Sequence, residues 1–325
     1  MNILIRKLKR QNFLKILVTI LLITIIGHVY QSIMVNYESK KYSNPGQLIE
    51  VYNHKMHIYS KGEGKPTVVF TVGSGTPSAY TDYYFIQENI SKETRTISYD
   101  RLGYGWSDRT SKDRGIDQVV DELHTLLEKS GEKPPYILVG HSLSSLEVIR
   151  FAQIYSKEVV GVVLIDGGNP TYYATLNEQA TLVPMYTLKI AGSIGLIRTL
   201  GNIGILLPLT DEKKRTSLLP EKLSKIDKAL FYKSSGEKNN IREVKAINEN
   251  ARKVIEGGNI GNIPLIILTS DKGTKDMVWK KTQVQLKDWS IKSTHEIVKD
   301  STHYIHWDKP NIVNEKIKQL IESLK

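Results

Sequence analysis

The sequence predicts an α/β fold: a doubly wound, mostly parallel sheet with an inserted helical segment, preceded by an N-terminal transmembrane helix. Three observations carry this expectation. Short apolar, β-branched runs alternate with stretches of helical spacing along most of the chain, the pattern of strand–helix–strand units. Between about residues 171 and 258 the strand-like runs stop and only helical spacing remains. Ahead of everything, residues 16–35 are mostly Ile, Leu and Val, a run long enough to cross a bilayer.

At 325 residues with 40% hydrophobic content, the chain can bury one full core and carry an insertion. Cysteine is absent, which excludes disulfides, a thiolate nucleophile and cysteine-ligated metal. The net charge of +11, from 45 Lys+Arg against 34 Asp+Glu, is spread along the chain with no basic-plus-aromatic recognition pattern. Nucleic acid is therefore not the expected partner; anionic lipid headgroups suit the excess better.

Arg6, Lys7, Lys9, Arg10 and Lys15 mark residues 1–15 as a basic tail, and no acid precedes Glu38. That asymmetry keeps the tail cytoplasmic and exports the remainder. The stretch 28–35 offers no small-residue cleavage site, which favours an uncleaved anchor over a signal peptide. A buried amphipathic helix is disfavoured, because 16–26 is apolar on every face apart from threonines. Residues 36–46 are polar, end in Asn44-Pro45-Gly46, and read as a linker to a domain over 47–325.

Within that domain, residues 48–52 and 55–60 flank Asn53-His54 and read as a hairpin. The cluster Gly62-Glu63-Gly64-Lys65 lacks the spacing of a phosphate loop. A strand over 67–72 ends in Gly73-Ser74-Gly75-Thr76-Pro77, whose glycines let backbone amides approach a ligand. A strand over 94–99 runs into Asp100-Arg101-Leu102-Gly103-Tyr104-Gly105-Trp106-Ser107-Asp108, a tight structural turn. Helical spacing from Ile116 to Leu127 then leads through Gly131 and Pro134-Pro135 to the centre of the chain.

That centre is Tyr136-Ile137-Leu138-Val139-Gly140-His141-Ser142-Leu143-Ser144-Ser145. Four apolar residues form a buried strand, Gly140 opens a turn, and the apolar spacing from Leu143 onward is helical. Ser142 thus stands on a strand-to-helix corner, with the amides of the helix start facing whatever it attacks. In this stretch the chain resembles the α/β-hydrolase superfamily, and the likeness covers most of residues 46–325. It departs where G-x-S-x-G would have its second glycine, since Ser144 stands there, but Gly140 and a small Ser144 meet the steric demand of the corner.

The resemblance implies several roles. Residues 100–107 match the D-x-x-G-x-G-x-S turn of serine hydrolases of this superfamily. Val72-Gly73 stands where His-Gly is usual, so the amide of Ser74, with that of Leu143, would form the oxyanion hole. The strand 159–165 stops at Asp166, and 171–258 corresponds to a cap over the pocket, with Gly167-Gly168, Gly257-Gly258 and Gly261 as hinges. Its segments 182–207 and 223–254 look helical. The part over 190–207 reads as a substrate-lining helix pair, because Lys189, Arg198, Asn202 and four glycines argue against a second span. Beyond the cap come a strand over 264–269, a helix over 277–289, a strand over 294–298, a turn over 300–306 and a terminal helix striped with Val313, Ile317, Leu320, Ile321 and Leu324.

A serine hydroxyl needs a base within reach, and the base needs an acid to fix its tautomer. Of eight histidines, His303 lies in the loop between the last strand and the terminal helix, where the superfamily places its base. His54, His57, His295 and His306 read as surface residues and His141 as a neighbour within the elbow. For the acid, Asp166 is the first choice. The alternative is Asp271, in a segment whose G-x-x-D pattern is broken: Gly273 replaces the expected aspartate, and Asp276 comes three residues late.

The implied chemistry is acyl transfer to water by Ser142, His303 and Asp166, with no cofactor. No metal site is indicated, since His303 and His306 form the only suggestive pair and lack further ligands at metalloprotease spacing. Serine at the elbow argues against epoxide hydrolases and haloalkane dehalogenases, which use aspartate there. The expected protein is a membrane-anchored serine hydrolase, a carboxylesterase or lipase taking a small-molecule acyl substrate of hydrophobic character. An aminopeptidase or acyltransferase on the same scaffold, or a non-catalytic ligand receptor, are the alternatives.

Overall fold

A computed structural model describes residues 2–205, 212–273 and 276–324. Eight strands form one sheet in the order β1-β2-β4-β3-β5-β6-β7-β8. The first two, β1 (Gln47–Val51) and β2 (His54–Lys61), make the expected hairpin, and β2 pairs antiparallel with β4 (Thr96–Tyr99). From there β3 (Thr67–Thr71), β5 (Tyr136–His141), β6 (Val159–Ile165), β7 (Leu265–Ser270) and β8 (Ser293–Val298) are all parallel. A parallel sheet needs both faces covered, which is why β3 and β5 are uninterrupted buried runs without polar alternation.

The helices of the first half are α1 (Asn2–Lys41), α2 (Ala79–Asp82), α3 (Tyr84–Ile90), α4 (Ile116–Lys129) and α5 (Ser144–Ile154). Between β6 and β7 lie α6 (Pro170–Ala174), α7 (Glu178–Ser193), α8 (Leu196–Asn202), α9 (Glu212–Leu218), α10 (Glu221–Ser234), α11 (Lys238–Lys245) and α12 (Ile247–Glu256). Then come α13 (Met277–Gln285), with a 3-10 turn over Leu286–Trp289, α14 (Ile305–Asp308) and α15 (Pro310–Ser323). Two apolar cores sandwich the sheet: one gathers Leu123, Leu127, Ile149 and Phe151 beneath α4 and α5, the other Ile86, Ile90, Val313 and Ile317 beneath α3 and α15. The helix-only insertion is present between Pro170 and Glu256; positions 206–207 of the expected helical segment lie outside the described residues.

The N-terminal segment departs from expectation. Residues 36–41 continue α1 instead of opening a linker, because their polar side chains are used. Buried Arg198 of α8 donates to Gln31 Oε1 at 2.7 Å and forks onto the Glu38 carboxylate at 2.6 and 2.8 Å. Only residues 42–46 remain outside regular structure between α1 and β1. Among the described residues α1 is the one single helix long and apolar enough to cross a membrane.

Two further expectations fail. Gly167 and Gly168 are buried and hydrogen-bonded, Gly168 N–H to the Ser142 carbonyl at 3.2 Å, so the cap is not loosely hinged there. His57 and His306 are buried, not on the surface, each against a carboxylate: His57 Nδ1 is 2.8 Å from Asp100 and His306 Nε2 is 3.1 Å from Asp82. Asp100 also accepts from Ser78 and from the amides of Ala79 and Trp106, which makes it the centre of the turn over 100–108. Gly105, at φ 46°, is required there: a Cβ would fall 1.9 Å from the Asp100 carboxylate.

Candidate active site

Strand β5 ends at His141 and α5 starts at Ser144, so Ser142 and Leu143 make the corner between them. Ser142 has φ 54°, a left-handed conformation that costs a non-glycine residue of order 1–3 kcal/mol and survives only where the surroundings enforce it. Here they do. The Ser142 N–H bonds to the Ile165 carbonyl at 3.3 Å. The Ser144 hydroxyl, in place of the second glycine, accepts from the His141 N–H at 2.8 Å and lies 2.9 Å from the His141 carbonyl and 3.1 Å from that of Thr71. A substitution that looks like a defect in the motif therefore braces the corner.

Because His141 pairs with Ile165, Ser142 and Asp166 follow side by side at the ends of β5 and β6. Asp166 also has positive φ, 42°, and is fully buried. Its Oδ1 accepts from the Ser270 N–H at 2.9 Å and its Oδ2 lies 2.6 Å from His303 Nδ1. With Nδ1–H held by the carboxylate, Nε2 is left as the proton acceptor. Asp271 does not reach the imidazole. Its carboxylate accepts from the N–H groups of Asp300 and Ser301 at 2.9 and 3.0 Å and holds the turn leading to His303.

Gly273 explains the broken motif after β7. A Cβ there would stand 1.8 Å from Ser270 Oγ and 2.9 Å from Asp166 Oδ2, so a side chain at 273 would collide with the carboxylate that comes from β6. The carboxylate that contacts His303 is the one at the end of β6, Asp166.

Ser142 and Leu143 share with Ser74 and Gly75 one wall of a cavity of about 350 Å³. The start of α5 is closed onto the corner, with the Ser145 and Leu146 N–H groups bonded to the Ser142 and Leu143 carbonyls at 3.1 and 3.2 Å. Cap residues Leu176, Met185, Leu188, Phe231, Val244 and Ile247 supply an apolar roof. The buried Tyr173 phenol, which sequence reasoning missed, lines the same cavity as Ser142, and burial raises its pKa so that it stays protonated. Trp279 packs edge-on against both Tyr173 and His303, at 6.1 and 5.8 Å between ring centroids.

The matching comparisons agree with this architecture. Residues 66–193 match the family described as the alpha/beta hydrolase fold. An uncharacterized protein of Bacillus subtilis (strain 168), YbdG, is 33% identical over 226 residues, covering 68% of this chain and 67% of that protein. The chain belongs to the α/β-hydrolase family. The human (lyso)-N-acylphosphatidylethanolamine lipase is 21% identical, covering 73% of this chain and 74% of its own length. The enol-lactonase from Burkholderia xenovorans LB400 shares the fold at a TM-score of 0.66, with 16% identity over 85% of this chain and all (100%) of that one.

Two buried polar groups flank the site of this α/β-hydrolase. In the first, Arg101 donates to the Val72 carbonyl at 2.7 Å, to Glu147 of α5 at 3.2 Å and to Glu243 of cap helix α11 at 3.1 Å. One guanidinium thereby joins the loop carrying Ser74, the helix after Ser142 and the cap. Burial, with Glu243 alongside, pushes the Glu147 carboxyl well above the usual range. In the second, Asp82, His141 and His306 bring three ligand-type atoms within 4.8 Å of one another, a grouping that no local spacing announces. Part of the group is engaged, His306 Nε2 with Asp82 at 3.1 Å, His141 Nε2 with the His303 carbonyl at 3.0 Å and Asp82 with Arg215 at 3.9 Å, while the Nδ1 atoms of His141 and His306 are buried without a hydrogen-bond partner. Burial, with His303 and His306 nearby, lowers the His141 pKa well below 6.5, so a neutral ring supports the loop of His303 from below.

Proposed function

We propose that this α/β-hydrolase is a serine esterase or lipase, anchored by α1 with its catalytic domain on the extracytoplasmic side. The observation that carries the reading is the Asp166–His303 pair at 2.6 Å beside the Ser142 corner, under an apolar roof. Ser142 attacks the substrate carbonyl as His303 Nε2 takes the proton of its hydroxyl. The amides of Leu143 and Ser74 stabilise the oxyanion. His303 then protonates the leaving alkoxide, and water, deprotonated by the same imidazole, releases the acyl group. Asp166 holds the ring and balances its transient charge.

The apolar roof favours acyl chains over charged peptides, and the likeness to a lipase acting on N-acylphosphatidylethanolamine points the same way. The basic residues before α1's apolar run favour a cytoplasmic tail. Retention of the anchor is supported by Arg198, which would lose Gln31 and Glu38 if the segment were cut away. Reaction of Ser142 with a fluorophosphonate tests the assignment.

A further inference from the structure

The first apolar part of α1 is exposed, Ile16, Ile20, Ile23 and Ile26 among its residues. Contact with the cap starts at Gly27. A Cβ at Gly27 would lie 2.1 Å from the Ile194 carbonyl, and His28 Nδ1 is 2.9 Å from the Ser193 carbonyl, so the turn between α7 and α8 is pressed against α1 there. A helix needs about 20 residues to cross the hydrocarbon, which from Lys15 extends to about Val35. Gly27 lies about eight residues, or about 12 Å, inside that limit. The outward side of α1 remains apolar past the contact, with Val29 and Ile33 exposed.

Helix α7 is apolar on two opposite faces. Thr181, Met185 and Leu188, at helical spacing, line the Ser142 cavity. Val183, Tyr186 and Ile190 form the reverse stripe, and Val183 and Ile190 are 66% and 64% exposed. After a bend of 78°, α8 adds exposed Leu196, and Ile203 and Ile205 follow, again exposed. A groove of about 610 Å³ runs between α1 and this part of the cap, lined by His28, Ser32, Lys189 and Gly192 among others. Its wall at Ser235 and Gly236 is also a wall of the Ser142 cavity.

We propose that the α7–α8 corner is immersed in the same leaflet that α1 leaves, and that the site takes an acyl ester of a membrane lipid laterally through the groove beside α1. The substrate class rests on the esterase reading; the immersion does not. A bilayer is the occupant that fits, because the exposed stripe is continuous with a membrane-spanning helix and lies at the depth of its apolar run.

The absence of cysteine permits a direct test on the full chain in phosphatidylcholine/phosphatidylglycerol vesicles. Single cysteines V183C, I190C and L196C, labelled with an environment-sensitive dye, should be quenched at least about twofold by acyl-chain-brominated lipid, while K157C, at the opposite end of the sheet, is not. If V183C, I190C and L196C all behave like K157C, immersion is wrong. The V183E/I190E double variant should lose about tenfold or more of its turnover of vesicle-borne dioleoylglycerol and keep soluble p-nitrophenyl acetate turnover within about twofold. Equal loss on both substrates, or loss on neither, overturns lateral entry. Quenched dyes on a parent chain that hydrolyses neither substrate would overturn the esterase reading and the substrate class while leaving the immersion standing.

Discussion

Asp166 and His303, 137 positions apart in the chain, meet at 2.6 Å, and Asp166 is at the same time the cross-strand neighbour of Ser142. The sheet register alone places Ser142 and Asp166 side by side. The loop after β8 has only to deliver the imidazole. Because Gly273 leaves no room for an acid after β7, the arrangement depends on a single carboxylate.

Asp166→Asn should lower kcat/KM for a p-nitrophenyl ester by about 10³–10⁴, since an amide can leave the imidazole in the wrong tautomer. Asp271→Asn should stay within about tenfold of the parent, because its carboxylate holds a turn and not the ring. Steady-state kinetics on both variants checks this; full activity in the first would remove Asp166 from the site.

Ser144→Ala should destabilise the fold by about 1–3 kcal/mol, because the buried His141 N–H loses its acceptor. Urea unfolding measures the loss. A neutral result would show that the hydroxyl does not brace the corner.

Arg101→Met should cost about 3–5 kcal/mol, since it leaves the buried Glu147 and Glu243 without their guanidinium partner. Adding Glu243→Gln should recover part of that cost. The double-mutant cycle reads the coupling, and strict additivity would mean that the guanidinium does not tie the cap to the core.

Asp308 accepts from the Thr302 amide and hydroxyl at 2.7 and 2.6 Å and pairs with Lys214, which together lower its pKa. Hydrogen bonds from Asp300 and Ser301 lower that of Asp271. A carboxylate with a depressed folded-state pKa contributes stability that is present above its unfolded value, about 3.9, and lost as pH falls through the folded one. Both groups hold the loop of His303. Acid should therefore loosen that loop below about pH 4, and Asp308→Asn should flatten the acid limb of a stability-versus-pH series. An unchanged limb would contradict this.

The strand runs, the Ser142 corner and the position of His303 were legible because each is a local pattern: a buried run, a glycine before a serine, a histidine between the last strand and the last helix. What was not legible depends on partners far along the chain. His57 and His306 look like surface histidines until Asp100 and Asp82, 43 and 224 positions away, are seen against them. Residues 36–41 look like a linker from their polarity, and the partner of Glu38 among them, Arg198, lies 160 positions away in the cap. Asp166 is the expected acid from its place at a strand end, and its 2.6 Å approach to His303 Nδ1 depends on a loop 137 positions further on.

Glu38→Ala should destabilise the chain by about 1–3 kcal/mol through the unpaired Arg198, and the protein recovered from membranes should have the mass of the uncleaved chain. Urea unfolding in detergent and intact-mass measurement test the two halves; a mass lacking the residues before Glu38 would contradict retention of the anchor.

Activity-based labelling is the most direct test of the central claim. The full-length chain in detergent is treated with a fluorophosphonate and the modified residue located by peptide mass. A single adduct on Ser142, abolished by Ser142→Ala and strongly slowed in Asp166→Asn, is the expected result. No adduct on Ser142, or equal labelling in the Ser142→Ala variant, would contradict nucleophilic catalysis at this corner.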